Sequence, residues 1–172
     1  MILTSPNFAD GAWLPFECAY ESENKSPWLS WSDAPLGVRS FAIVCEDMDG
    51  PCDRPWTHWL LWNIGAAETR VRSGLPQYPH LDEGMEQGLN DYLEFGWGGP
   101  CPPAGIHEYV MTLYALDSLL APAAPTSTAV LSALSGHVLA MARLTAVYDS
   151  EGSSNSLESL GRSARASCLC TA

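Results

Sequence analysis

The chain has 172 residues, of which 47% are apolar and only 16% charged, and its formal net charge is −12. That length and apolar share fit one globular domain with a sizeable core rather than a disordered chain. Eight Lys and Arg against twenty Asp and Glu exclude a nucleic-acid interface, which needs a basic stripe to meet phosphates. No run approaches the roughly 18 apolar residues of a membrane helix.

The opening Met1-Ile2-Leu3-Thr4-Ser5-Pro6-Asn7 has no basic start, and its apolar run is too short for a secretion signal. A cytoplasmic location is expected, with the six cysteines reduced rather than paired. Their spacings match no zinc pattern, and Cys168-Leu169-Cys170 is a lone C-x-C. Residues 1–25 mix Phe8, Trp13, Leu14 and Phe16 with turn formers, enough for a short strand or two. Asp33-Ala34-Pro35-Leu36-Gly37 reads as a turn. Residues 40–45 are apolar, partly β-branched and bounded by turn signals, which predicts a strand. Residues 58–64 form a second strand, apolar on both faces and so placed in the middle of a sandwich.

From Gly65 to Gly99 the pattern is loop-rich, and so long an irregular stretch is usually functional or wrapped around the core. Residues 107–116 are a third strand. Pro122 to Pro125 break the chain, and Thr126 or Ser127 can then cap a helix. Val130, Leu134, His137, Met141, Leu144 and Tyr148 recur at steps of three and four, which predicts an amphipathic helix over 127–147. His137 on its apolar face is expected to be a buried, hydrogen-bonded structural histidine. Residues 149–172 are Ser-rich and read as a tail, either flexible or flanking a pocket, so the domain is expected to span 1–148.

Two loops carry the chemistry. Cys45-Glu46-Asp47-Met48-Asp49-Gly50-Pro51 is followed by Trp56-Thr57-His58-Trp59, and Gly96-Trp97-Gly98-Gly99-Pro100-Cys101-Pro102-Pro103 leads into His107-Glu108-Tyr109. Each joins a Gly/Pro-rich turn to a strand, where proteins usually keep functional groups. Strand alternation puts His107 and Tyr109 on one face and Glu108 on the other, and pairs Asp47 with Asp49 if the strand stays regular. An acid, two imidazoles and a phenol facing one another suit a phosphate-like group. Asp47 would accept a hydrogen bond from a protonated phosphate or orient His58 and keep it charged. Trp56 and Trp59, or Trp97, would form an apolar rim. Taken alone, Asp-x-Asp-Gly-Pro is more often a simple turn, a single histidine is more often structural, and Gly-Gly-Pro-x-Pro-Pro is also a surface-loop or polyproline pattern.

In combination these segments resemble the phosphatidylethanolamine-binding protein family, particularly its bacterial and archaeal Raf-kinase-inhibitor-like branch. Ser26-Pro27-x-Leu29-x-Trp31, Asp47-Met48-Asp49-Gly50-Pro51, His58-Trp59 with Asn63-Ile64, and Gly98-Gly99-Pro100-Cys101-Pro102-Pro103 with His107-x-Tyr109 carry the likeness. So do Tyr114-Ala115-Leu116-Asp117 and the residues from Gly136 to Ala140. The resemblance implies a mainly β fold, an antiparallel β-sandwich with a few peripheral helices. It also implies an anion pocket for phosphate or phosphorylated head groups, lined by Asp47, His58, Pro102, His107 and Tyr109, with Gly50, Pro51 and Gly99 shaping its walls. No cofactor or metal is implied, and bacterial members suggest a homodimer.

Glu108 stands where the family usually has arginine, Met48 replaces a loop proline, and only three residues separate Pro103 from His107. Two other classes remain: an enzyme using Asp47, His58 and His107 as acid and base, and an inhibitor of a kinase or protease acting by protein contact. The absence of an activated serine motif or an H-E-x-x-H spacing speaks against the enzyme. Cys52 and Cys101 flank the expected pocket and are candidates for thiol modification.

Overall fold

The computed structural model describes residues 1–51 and 53–149. Among these residues lie β1 (Ile2–Thr4), β2 (Ala12–Trp13), β3 (Leu29–Ser32), β4 (Ser40–Asp47), β5 (Trp56–Gly65) and β6 (Arg70–Val71). After them come β7 (Glu86–Gln87), β8 (Ile106–Leu116), helix α1 (Ser127–Leu134) and β9 (Val138–Asp149). The fold is mainly β, as expected. A small sheet runs β1-β3-β6 and a large one β2-β9-β8-β4-β5-β7. Every pairing is antiparallel except the short β2–β9 contact at the edge of the large sheet.

The alternation of side chains decides the layers. Phe41, Ile43 and Cys45 of β4, with Trp59 and Leu61 of β5 and Met111 and Leu113 of β8, face the small sheet. There they meet Leu3, Leu29, Trp31 and Val71. The intervening residues Ala42, Val44, Leu60 and Trp62 bury the opposite face under Leu120, Val130 and Leu134. The 58–64 segment is apolar on both faces because it lies between two covered surfaces. Asn63 interrupts the alternation with φ +58°. Its amide accepts from the Leu120 N–H at 2.8 Å and donates to the Leu120 carbonyl at 3.1 Å, holding the loop after β8 against β5.

The helix expected over 127–147 is less than half that long. It starts where predicted, with the Thr126 hydroxyl accepting from the Ala129 N–H, and stops at Leu134. Gly136 follows with φ +82°, a conformation that ends helices. Residues 138–149 are then a strand paired along the whole of β8. The apolar residues there satisfy both periods: Leu144, Ala146 and Tyr148 alternate as buried strand positions, so spacing alone did not separate helix from strand. His137 is correspondingly not buried. It is exposed, and its Nδ1 meets Asp117 Oδ1 at 2.8 Å. The serine-rich tail and the Cys168–Cys170 pair lie outside the described residues. No helix among the described residues is long and apolar enough to cross a membrane.

Candidate functional site

The site lies where the ends of β4, β5 and β8 come together. β4 pairs with β8 so that Asp47 stands opposite Tyr109, and the same β4 residue stands opposite Trp56 of β5. Asp47, Pro51, Trp56, His58, Tyr92, Cys101, Pro102, Pro103 and His107 line one small, partly open pocket. Five of the eight residues predicted for the site are in that lining. Tyr109 stands just behind it, its ring edge-on to His58 with centroids 5.1 Å apart.

The two predicted wall glycines act through close approach. A side chain on Gly50 would strike Trp56, and one on Gly99 would strike the backbone of Cys18 and Tyr20. Gly99 is further fixed by its N–H donating to Asn24 at 2.7 Å. These contacts seat the two loops against their neighbours.

Asp47 is the hub of the hydrogen bonding. One carboxylate oxygen accepts from His107 Nδ1 at 2.7 Å, and the other accepts from the Asp49 N–H at 2.8 Å. The second bond closes a turn, so β4 does not continue through Met48, and Asp49 does not share the face of Asp47 as a regular strand would require. Asp49 instead accepts the Glu108 N–H at 2.9 Å, and Met48 donates its own N–H to the Glu108 carbonyl at 2.9 Å. A proline at position 48 would have no such donor. Glu108 is exposed, pointing away from the site as alternation predicted.

His58 is held differently from the expectation that Asp47 orients it. Its Nδ1 lies 2.5 Å from the Gly98 carbonyl. Burial pushes its pKa below the ordinary value, against the opposing pull of that carbonyl and of Asp47. Its Nε2 is buried with no hydrogen-bond partner. The Trp56 indole N–H is likewise buried and unpaired, whereas the Tyr109 hydroxyl is buried against Asp47. Burial, followed by the charge of Asp47, raises the Tyr109 phenol well above its usual range, so it remains a donor.

The long irregular stretch before Gly99 supplies the remaining wall. Tyr92 stacks on Tyr20 at 4.7 Å and stands edge-on to Trp56 and His58. Asn90 clasps this loop, its amide oxygen accepting from the N–H groups of Tyr92 and Glu94. Asp91 accepts two hydrogen bonds from Arg54 and one from the Thr57 N–H. Although burial opposes ionisation, those partners hold the Asp91 carboxyl below its ordinary pKa. Neither Tyr92 nor Asp91 was identified from the sequence, since nothing in a loop without periodicity marks which residue turns inward. Of the three tryptophans proposed as a rim, only Trp56 serves. Trp59 and Trp97 are core residues whose indoles donate to Gln87 and to the Cys18 carbonyl.

The cysteines also differ from expectation. Cys101 is disulfide-bonded, so it is not a reduced thiol open to modification, and Cys52 lies outside the described residues. A pair far apart in sequence can bond wherever the fold brings the two residues close, which spacing does not reveal. Disulfides persist chiefly in oxidising compartments, so this loop lends no support to a reducing cytoplasmic setting.

The space is small, about 10 Å³, roughly room for one water. Pro102 and Pro103 lack N–H donors, and exposed Ala104 and Gly105 follow them with Gly105 at φ +75°. A roomier cleft of about 570 Å³ lies between β1 and β9, and none of the predicted site residues lines it.

Comparison with known proteins agrees with this architecture. A family model described as phosphatidylethanolamine-binding protein matches residues 4–149. A UPF0098 protein of Methanothermobacter thermautotrophicus is 40% identical over 150 residues, covering 86% of this chain and 98% of its own length. Among solved structures, YbcL of Escherichia coli, described as a member of the mammalian PEBP family, superposes with a TM-score of 0.79 at 32% identity. That match covers 86% of this chain and 97% of YbcL. A phosphatidylethanolamine-binding protein homologue of Chlamydia trachomatis gives a TM-score of 0.77 at 33% identity, over 86% and 95% of the two chains.

Proposed function

From the premise that this chain belongs to the phosphatidylethanolamine-binding protein family, we propose that it binds a phosphoryl group, free or on a small head group, between the two motif loops. The observation that carries this reading is the convergence of unpaired polar atoms on one space. His58 Nε2 and the Trp56 N–H are buried without partners beside the Asp47–His107 pair. Leaving buried polar atoms unpaired costs about 1–3 kcal/mol each, a cost that a ligand supplying the missing bonds would remove.

Binding without turnover is the better reading of the chemistry. Asp47 and His107 make an acid–imidazole pair of the kind that activates a nucleophile, but the lining contains no serine or threonine. Its one cysteine is already disulfide-bonded.

The test is an NMR titration with phosphate and with phosphoethanolamine at about pH 6, following the imidazole signals of His58 and His107. Saturable shifts in both, lost in Asp47→Ala while its amide spectrum stays dispersed, are expected. Absence of any shift at millimolar ligand would sink the reading. Release of inorganic phosphate from phosphoethanolamine would replace binding with hydrolysis.

A further inference from the structure

We infer that the cavity selects the proton-bearing form of a phosphoryl group, the monoanion of a phosphomonoester with one P–OH, over its dianion and over a proton-free oxyanion such as sulfate. This rests on the phosphoryl-binding reading above and specifies the ligand of that site.

The tautomer of His58 is the first reason. A carbonyl oxygen only accepts, so the nitrogen 2.5 Å from Gly98 must carry the proton. His58 is 1% exposed, which disfavours the imidazolium, and burial accordingly lowers its pKa. In the neutral ring Nε2 is then a bare lone pair. It is buried, lines the cavity and has no donor within the protein.

Asp47 is the second reason. Its two oxygens already accept from His107 and from the Asp49 N–H, and a carboxylate has lone pairs to spare but no proton to give. No lysine or arginine lines the cavity. The nearby Arg54 is committed to Asp91 in a bidentate pair.

The groups facing His58 and Asp47 can be taken element by element. β4 brings Cys45 and Asp47, and β8 brings His107 and Tyr109. The loop after β4 brings Asp49 and Arg54, and the loop before Gly99 brings Asp91 and Tyr92. Among them the one permanent positive charge is the Arg54 guanidinium, and it is already paired.

The cavity therefore offers a donor from Trp56 and acceptors from His58 and Asp47. A hydrogen phosphate monoester presents the complement, with an unprotonated oxygen for the donor and a P–OH for the acceptors. A dianion, or sulfate, would set an oxygen lone pair against His58 Nε2 or the Asp47 carboxylate.

The experiment titrates the whole chain with methyl phosphate and with sulfate from about pH 5 to pH 8, reading affinity by calorimetry and His58 by nitrogen NMR. Phosphomonoesters lose their second proton near pH 6. Affinity for methyl phosphate is expected to fall about tenfold per pH unit above that point. Sulfate is expected to bind at least about a hundredfold more weakly at every pH, with His58 Nε2 remaining unprotonated in the complex. Sulfate binding within a few-fold of methyl phosphate at acid pH would overturn the inference, because it would mean that a protonated imidazole supplies the missing hydrogen. A methyl phosphate affinity flat across the range would overturn it too. Either result leaves phosphoryl binding itself standing. Failure of both probes to bind at any pH removes phosphoryl binding and this inference together.

Discussion

His107 donates from Nδ1 to a carboxylate oxygen of Asp47 at 2.7 Å, joining residues sixty positions apart across the β4–β8 ladder. Because Asp47 also accepts the Asp49 N–H, removing its carboxylate strands two donors at once. Asp47→Ala is expected to destabilise the fold by about 2 kcal/mol, seen as a lower urea midpoint with an unchanged m-value. Combined with His107→Ala, the loss should fall short of the sum by more than about 0.5 kcal/mol. Strict additivity would show the two residues to be uncoupled.

The depressed pKa of His58 makes stability depend on pH in a defined direction. The folded protein keeps this imidazole neutral, whereas the unfolded chain protonates it below its ordinary value near 6.5. Between that value and the lower folded one, the unfolded state binds more protons, so stability is full above about pH 6.5 and is lost as the pH falls. The slope attributable to this residue is at most about 1.4 kcal/mol per pH unit. His58→Asn preserves an N–H for the Gly98 carbonyl and should flatten the melting temperature between pH 7 and pH 5 relative to the parent. An unchanged slope would assign the dependence to other groups.

Gln87, on the edge strand β7, ties the long loop to β5 of the large sheet. It accepts from the Trp59 indole at 2.9 Å and donates to the carbonyls of Pro76 and Tyr78 at 2.8 and 3.0 Å. Gln87→Ala leaves the buried Trp59 indole unpaired and releases the Pro76 and Tyr78 carbonyls, an expected loss of about 2 kcal/mol. The same change should weaken methyl phosphate binding, because the loosened loop carries Tyr92 and the Gly98 carbonyl that holds His58. Calorimetry measures both effects. A destabilised variant with unaltered affinity would separate the loop from the site.

Two thiols are sealed in the core. Burial, with a smaller contribution from Glu17, pushes Cys18 up to about 12, and burial raises Cys45 well above the ordinary thiol value. Thiolates are the reactive form, so neither should be alkylated in the native protein near neutral pH, while both label fully in denaturant. Peptide mass spectrometry after timed labelling decides it. Rapid native labelling of either would mean that the sandwich opens locally.

Much of this was legible in the chain itself. The three strands at 40–45, 58–64 and 107–116 announced themselves: the first two are apolar on both faces because both are covered, and the third combines apolar, β-branched and aromatic residues with alternation at its start. The motif order around Asp47, His58, Pro102 and His107 marked the two loops, since turn chemistry and strand entry are local properties. The opposite directions of His107 and Glu108 followed from strand alternation alone.

What the sequence left undecided are the relationships between segments. Residues 138–149 carry apolar positions that satisfy a helix and a strand alike, and only pairing along β8 selects the strand. Asp47 orients His107 rather than His58 because the β4–β8 register places the first pair in reach and the Gly98 carbonyl reaches His58 first. Tyr92, Asp91 and the Cys101 disulfide have no local signature, for their roles arise from what the fold carries next to them. Local patterning therefore determined which stretches become strands and which loops hold polar groups. Tertiary packing decided which of those groups meet, because hydrogen bonds between distant residues depend on register and burial, and periodicity encodes neither.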